Sequence, residues 1–140
     1  MSTFTPLSDD DLTGLASQWM SVVQLVREEY DEEFDLQIRS LILLQRVLDD
    51  ELLEPTNTYG LQCLGVALGR IFAENIKELD WWIVDDEYGR DPCLRYLESS
   101  LQVNPVTMIS KRVERGERVQ VQELFEQTLE SVARISTECE

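Results

Sequence analysis

The chain has 140 residues, with 12 basic and 28 acidic side chains, a formal net charge of −16 and no histidine. The absence of histidine excludes a Ser-His-Asp or Cys-His nucleophile system within the chain, and also zinc or haem held by histidine. The negative charge disfavours nucleic acid and anionic membranes as partners, because both are bound mainly through Lys and Arg.

Helical patterns dominate the first 58 residues. Ser8 is a candidate N-cap, three aspartates follow it, and apolar residues recur at helical spacing from Leu12 to Val26. An acidic run without Gly or Pro comes next, and a second apolar stripe then leads to Pro55. We predict an N-terminal hairpin of two antiparallel helices, with one long bent helix over residues 8–53 as the alternative. The second stripe consists of Phe34, Ile38, Leu41, Ile42, Leu48 and Leu52.

A third helix is predicted from about Tyr59 to Lys77, capped by Thr56 or Thr58. It is apolar on most of its surface, so we expect it to be buried. Gly65 and Gly69 lie four residues apart and share one face of this helix, which indicates the close approach of another backbone.

The pattern changes to strands after Asp80. Residues 81–84 are aromatic and β-branched, residues 87–91 read as a turn, and residues 93–97 form the returning strand. Pro92 can only precede that strand or lie on an edge. A short third strand is expected over 101–104, then a helix from Val106 to about Arg115 that ends at Gly116, and a C-terminal helix from Val121.

This order of elements predicts an α+β fold. N-terminal helices and a buried central helix precede an antiparallel meander of about three strands, and C-terminal helices follow. We expect one domain over residues 1–140, made of the helical hairpin (1–58) and an α+β part (59–137).

The three cysteines, Cys63, Cys93 and Cys139, are widely spaced and form no CxxC motif. We expect reduced thiols in a cytoplasmic protein, with Cys63 in the core and Cys139 in a frayed tail. The N-terminus has neither the basic nor the apolar region of a signal peptide.

The turn after the first strand is the leading candidate site, and it holds acids beside aromatic residues and an arginine. An EF-hand template does not fit there, and no metal is predicted. Either this is a solvated hairpin tip with its arginine paired to a neighbouring acid, or it is an interface with an exposed tryptophan as anchor. The residues concerned are Trp82, Asp85, Asp86, Glu87, Tyr88, Arg90 and Asp91.

Two further charged clusters are candidates. The glutamates Glu28, Glu29, Glu32 and Glu33 could meet a basic partner, or they could simply form a solvated helix junction. A basic cluster could hold a phosphate or carboxylate, or it could pair with Glu114 and Glu117. That cluster consists of Lys111, Arg112, Arg115 and Arg118.

Three segments together resemble a known bacterial family. They are WWIVDDEYGRDPCLRY, NPVTMISKRVERGE and VQVQELFE, within about residues 59–130. The hairpin Asp86–Asp91, the segment Pro105–Arg112 and the segment Leu64–Gly69 are similar to motifs of the family called domain of unknown function 3806. The resemblance implies a bacterial, intracellular α+β domain and no particular reaction. It marks as positions to test Glu87, Tyr88, Gly89, Arg90, Asp91, Ser110, Lys111 and Arg112, although Arg90 with Lys111 or Arg112 could equally tie the hairpin to the following helix.

No catalytic motif and no cofactor signature occurs in the chain. We therefore expect a non-enzymatic protein-interaction module. The most specific form of this hypothesis is an immunity or antagonist protein that occludes a basic partner such as a toxin or effector. One alternative is a small-molecule-binding protein or small enzyme with a pocket of Tyr88, Arg90 and Lys111. Another is a homo-oligomer, such as a homodimer, whose first two helices pack across a two-fold axis.

Overall fold

A computed structural model describes residues 3–138, without the side chain of Glu138. In this range five α-helices flank a four-stranded antiparallel sheet, so the predicted α+β class is confirmed. The elements are β1 (Thr3–Thr5), α1 (Asp9–Tyr30), α2 (Leu41–Asp49), α3 (Thr58–Asn75), β2 (Leu79–Asp86), β3 (Gly89–Tyr96), β4 (Gln102–Val103), α4 (Met108–Glu114) and α5 (Val121–Glu138), with 3-10 turns at Ile38–Ser40 and Pro105–Thr107.

Helix α1 begins with a capping box at the predicted residue. The Ser8 hydroxyl accepts a hydrogen bond from the Asp11 N–H (3.2 Å), and the Asp11 carboxylate accepts one from the Ser8 N–H (2.8 Å). The helix ends at Tyr30 because Asp31 is left-handed, with φ 54°. Aspartate adopts that conformation more readily than most residues. Residues 8–53 therefore contain two separate helices, although no Gly or Pro divides them.

The buried face of helix α2 differs from the second apolar stripe predicted from the sequence. Its buried face is formed by Leu41, Leu44 and Val47, whereas Ile42 is 66% exposed. A single helical phase from Phe34 to Leu52 mispredicts this face, because Phe34 is buried from a loop and a 3-10 turn precedes the helix. The helix also ends at Asp49, well before the Pro55 that the sequence suggested as its end.

Helix α3 is the buried central helix that the sequence predicts. Its N-cap is Asn57 and not Thr56 or Thr58, since the Asn57 side chain accepts a hydrogen bond from the Gly60 N–H (2.9 Å). A Cβ atom on Gly65 would lie 2.4 Å from the carbonyl oxygen of Val106. The predicted close approach of another backbone at this helix face is thus confirmed, and the backbone concerned is the 3-10 turn before α4.

The sheet has the order β1-β2-β3-β4, with every neighbouring pair antiparallel. Strand β1, which pairs Thr3 with Asp85 and Thr5 with Ile83, is not predicted from the sequence because three residues are too few to show a period. Strand β3 starts at Gly89 and includes Pro92, which the sequence placed before the strand or on an edge. Because β4 pairs only with Leu94 and Arg95, Pro92 lies on an open edge.

The core centres on α3 and takes buried residues from all five α-helices and from β2 and β3. On α5, Phe125 meets Phe72 of α3 with ring centroids 5.7 Å apart. The thiols of Cys63 and Cys93 are free and buried, whereas Cys139 lies outside the described residues. None of the helices described combines the length and the apolar content that a bilayer crossing needs.

Candidate functional site

The β2–β3 hairpin ends in a two-residue turn, Glu87-Tyr88. Asp86 pairs with Gly89 across the turn, and Gly89 has φ 116°, a value that side-chain-bearing residues rarely adopt. One carboxylate oxygen of Asp86 accepts a hydrogen bond from the Tyr88 N–H (2.9 Å). The Tyr88 side chain is 85% exposed. The hairpin tip is therefore a locally built turn that presents an aromatic ring to solvent.

Arg90 ties this hairpin to the N-terminus of α1. Its two terminal nitrogens donate to the two carboxylate oxygens of Asp11, at 2.9 and 2.8 Å. The Arg90 hydrogen bonds, followed by the Ser8 N–H, hold the pKa of Asp11 well below its usual range. The arginine is thus paired with an acid as the sequence suggested, but that acid is 79 residues away in the chain and not a neighbour of the turn.

The tie from the hairpin to the following helix does not form in the way that the motifs suggested. Arg112 donates instead to the carbonyl oxygen of Met108 within its own helix (2.9 Å). Arg115 pairs with the predicted Glu117 at 3.6 Å, and both side chains are exposed. Ser110 is buried, with its hydroxyl 3.4 Å from the Thr107 carbonyl oxygen.

A cleft of about 280 Å³ lies between the hairpin and the start of α4, at the edge that β4 leaves open. We call it the hairpin cleft. It brings Tyr88 and Lys111 together, while Arg90 is held at α1. The predicted Asp86 and Asp91 of the hairpin also line it. The sequence did not identify the uncharged side chains of Gln62, Gln102, Asn104 and Thr107, which come from α3, β4 and the segment that leads into the 3-10 turn and forms it. The cleft is lined by Gln62, Val84, Asp86, Tyr88, Asp91, Pro92, Gln102, Asn104, Val106, Thr107 and Lys111.

Trp82 is half-buried under side chains of its own sheet. The Arg95 guanidinium carbon lies 4.7 Å from the Trp82 ring centroid and 4.3 Å from that of Phe4 on β1. Trp82 lies directly opposite Cys93, whose buried thiol has its pKa raised to about 11 by burial. Trp82 is therefore a packing residue over Cys93 as well as a candidate contact.

The predicted glutamates Glu28, Glu29, Glu32 and Glu33 are all exposed near the C-terminal end of α1. With Asp31 they form what we call the acidic surface. A concave region of about 520 Å³ adjoins it, and it includes the exposed Ile42 together with Arg39 and Arg46.

Both of these arginines are already engaged. Arg39 pairs with Asp35, lowering the pKa of that carboxyl to about 2. Arg46 stacks over the Tyr30 ring, with its guanidinium carbon 4.0 Å from the centroid. Among the described residues, no cation forms an ion pair with a carboxylate of the acidic surface.

The structure separates the two predicted acidic regions. Asp11, which holds the hairpin, and Glu28 lie on the same helix 17 residues apart, or about 26 Å at 1.5 Å per residue. The hairpin and the acidic surface thus lie at opposite ends of α1, and we treat them as two candidate sites. Among the described residues, no group of three or more acidic or cysteine side chains converges in a way that could hold a metal ion.

Comparisons with known proteins bear on the fold and the family. A crystal structure from Bacteroides thetaiotaomicron VPI-5482 is similar, with a TM-score of 0.85 and 17% identity over 91% of this chain. The chain spans 47% of that protein, and at this identity the similarity shows the fold alone. Among curated proteins, none matches the chain. The family described as Domain of unknown function (DUF3806) matches residues 40–125, which adds α2 to the region that the sequence motifs suggested. The chain belongs to the DUF3806 family.

Proposed function

We propose that this protein is a non-enzymatic interaction module whose acidic surface binds a basic partner protein. The observation that carries the proposal is the clustering of five exposed carboxylates within residues 28–33, none of which forms an ion pair among the described residues. Of the arginines near it, Arg39 pairs with Asp35 and Arg46 stacks on the Tyr30 ring, while Arg27 forms no ion pair among the described residues. The unpaired carboxylates create a negative electrostatic potential, which attracts a positively charged protein and increases its association rate.

The neighbouring concave region supports the same function. Ile42 is 66% exposed there, so an apolar contact is available beside a charged rim. Apolar contacts at the centre with charges around them are typical of protein interfaces. Self-association through this surface is disfavoured, because it would bring two sets of carboxylates together.

In its sharpest form the proposal is an immunity or antagonist protein of the bacterial cytoplasm that occludes a toxin or effector. Two facts support it: the net charge of −16 and the single α+β fold of small size. The same charge disfavours nucleic acid and membrane partners.

The test uses two variants with equal loss of charge. One is E28Q/E29Q/E32Q/E33Q, which neutralises the glutamates of the acidic surface. The control, E114Q/E123Q/E126Q/E130Q, removes four exposed carboxylates from α4 and α5. Each protein serves as bait in a pull-down from bacterial lysate at roughly 0.1 M and roughly 1 M salt, where the Debye length falls from about 10 to about 3 Å.

We expect a basic protein to be retained at low salt by the wild type and the control, and lost by the acidic-surface variant. High salt should release it. If no basic protein distinguishes the two variants, the acidic surface is not the binding site and the proposal fails.

A further inference from the structure

The exposed side of α1 carries no charge over most of its length. Between Asp11 and Arg27, eight residues of this helix are exposed and none of them is acidic or basic: Leu12, Thr13, Gly14, Ala16, Ser17, Met20, Ser21 and Gln24. Helix α5 also has one exposed side, yet four of the nine exposed residues described there are charged: Glu123, Glu126, Glu130 and Arg134. The uncharged exposed side is thus a property of α1 and not of every surface helix in this acidic chain.

Five exposed residues form a straight line along this side, which we call the α1 stripe. Asp9, Thr13, Ala16, Met20 and Arg27 follow one another at the three-, four- and seven-residue spacings that keep side chains on one face of a helix. Met20, in the middle, is 55% exposed. Because one helical turn takes about 3.6 residues, five turns separate Asp9 from Arg27, and the two lie on the same side of α1.

The two ends of the α1 stripe are complementary in charge when the helix meets a second copy of itself in the opposite direction. Asp9 and Arg27 are both exposed, and neither forms an ion pair among the described residues. A two-fold axis through residue 18 sets Asp9 of each copy against Arg27 of the other. The same axis sets Ala16 against Met20, so the largest apolar side chain of the stripe faces its smallest. Charge and side-chain size are therefore matched by one register.

A parallel arrangement of the two helices does not have this complementarity. It would place Asp9 against Asp9 and Arg27 against Arg27, and it would bring the two acidic surfaces to the same end of the pair. Like charges that face each other weaken an interface. The antiparallel arrangement keeps the acidic surfaces at opposite ends, since each lies near the C-terminal end of its own α1.

We propose that the α1 stripe is the interface of an antiparallel homodimer. Five turns of helix give a contact strip about 27 Å long and about 10 Å wide, which is smaller than the roughly 800 Å² that a standard interface buries on each partner. The dimer should therefore have a dissociation constant in the micromolar range. It leaves both acidic surfaces uncovered, so this inference goes beyond the proposed interaction with a basic protein and does not depend on it.

The first experiment measures the mass of the full chain by sedimentation equilibrium, from roughly 10 µM to roughly 1 mM, a range that covers micromolar dissociation constants. The wild type should change from monomer to dimer over this range. Asp9→Arg and Arg27→Asp each set like charges against each other at both ends of the dimer, and each should weaken self-association at least about tenfold.

An equimolar mixture of these two variants tests the antiparallel register. In a mixed pair, the arginine at position 9 of one chain faces the aspartate at position 27 of the other, and the native Asp9 and Arg27 face each other at the other end. The mixture should therefore dimerise about as strongly as the wild type. Misfolding of either variant cannot produce this recovery.

A second pair of variants tests the centre of the stripe. Met20→Glu would bury a carboxylate against Ala16 of the other copy and should weaken self-association at least about a hundredfold. Leu129→Glu is the matched control, because Leu129 is an exposed apolar residue on α5 and receives the same charge. It should leave the dissociation constant unchanged.

Three results would overturn the proposal. They are a monomeric wild type at 1 mM, an unchanged dissociation constant in Met20→Glu, or a mixture of the two charge variants that stays as weakly associated as each variant alone. The pull-down with the acidic-surface variant changes other residues and reads out another partner. Either proposal can therefore fail without the other.

Discussion

The two ends of α1 both carry carboxylates, yet they use them differently. At the N-terminal end, the Asp11 carboxylate accepts two hydrogen bonds from Arg90 and one from the Ser8 backbone, so its charge is neutralised by the arginine that ties the hairpin to α1. At the C-terminal end, Glu28, Glu29, Glu32 and Glu33 remain exposed and form no ion pair among the described residues. Net charge alone therefore does not locate a binding surface. A carboxylate that already holds an internal cation, as Asp11 does, is not available to a partner, whereas an exposed cluster of unpaired carboxylates is.

We expect the greatest loss of stability from a variant that disturbs the packing of α3 against the 3-10 turn Pro105–Thr107. In Gly65→Ala the new Cβ would clash with the carbonyl oxygens of Val106 and Pro105, which cannot move aside as a flexible side chain could. We expect a loss of about 1–3 kcal/mol in the free energy of unfolding, measured by urea denaturation. The matched control is Gly14→Ala on α1, where nothing lies within 4 Å, and it should gain up to about 1 kcal/mol. Equal stability of the two variants would show that the contact between α3 and the 3-10 turn is loose.

A smaller change in the free energy of unfolding should follow when the pH is lowered. The folded-state pKa of Asp11 is depressed, so its stabilising contribution is present above the unfolded value of 3.8 and is lost as pH falls through the folded pKa. Asp11→Asn lacks that contribution at every pH. The urea midpoints of wild type and Asp11→Asn should therefore differ at pH 6 and converge as the pH approaches about 2.

Asp35, whose pKa is lowered to about 2, provides the same test at the other end of α1 through Asp35→Asn. Glu32→Gln is the control, because Glu32 is exposed and has no ion-pair partner among the described residues. A constant difference between wild type and Asp11→Asn down to acid pH would contradict the role given to the Arg90 pair.

The smallest effect should come from the acidic surface itself. We expect E28Q/E29Q/E32Q/E33Q to change the free energy of unfolding by no more than about 0.5 kcal/mol, because exposed side chains that form no ion pair contribute little to folding and the Gln24 amide can still donate to the oxygen of a glutamine at position 28. Thermal and urea unfolding would check this. A clear loss of stability would mean that these glutamates stabilise the fold and are not free for a partner.

Local signals predicted much of the fold. The serine cap and the aspartates after it mark the start of α1, the all-round apolar pattern marks α3, and the Trp81-to-Val84 run marks β2. These signals lie within a few residues of the element that they specify. The left-handed Asp31 and the three-residue β1 escaped prediction, since each depends on contacts that no local period reveals.

The candidate site was only partly predictable for the same reason. The motif residues Tyr88 and Lys111 do line one cleft, but Arg90 leaves it for Asp11, on a helix that lies outside the motif. Gln102 carries no signal of its own, because a lone glutamine in a short strand usually faces solvent. Its place in the cleft wall, with the Oε1 atom buried, appears only in the packed structure.

Strand β4 is so short that part of the neighbouring strand β3 has no partner strand on that side. Because β4 pairs only with Leu94 and Arg95, the segment Gly89–Asp91 of β3 is an exposed sheet edge, and the half-buried Pro92 follows it. Such an edge invites strands from other chains and so promotes aggregation. Here Pro92 removes one backbone donor, and Arg90 and Asp91 place charges beside it. Pro92 and the charges beside it therefore disfavour the pairing of this edge with a strand of another copy.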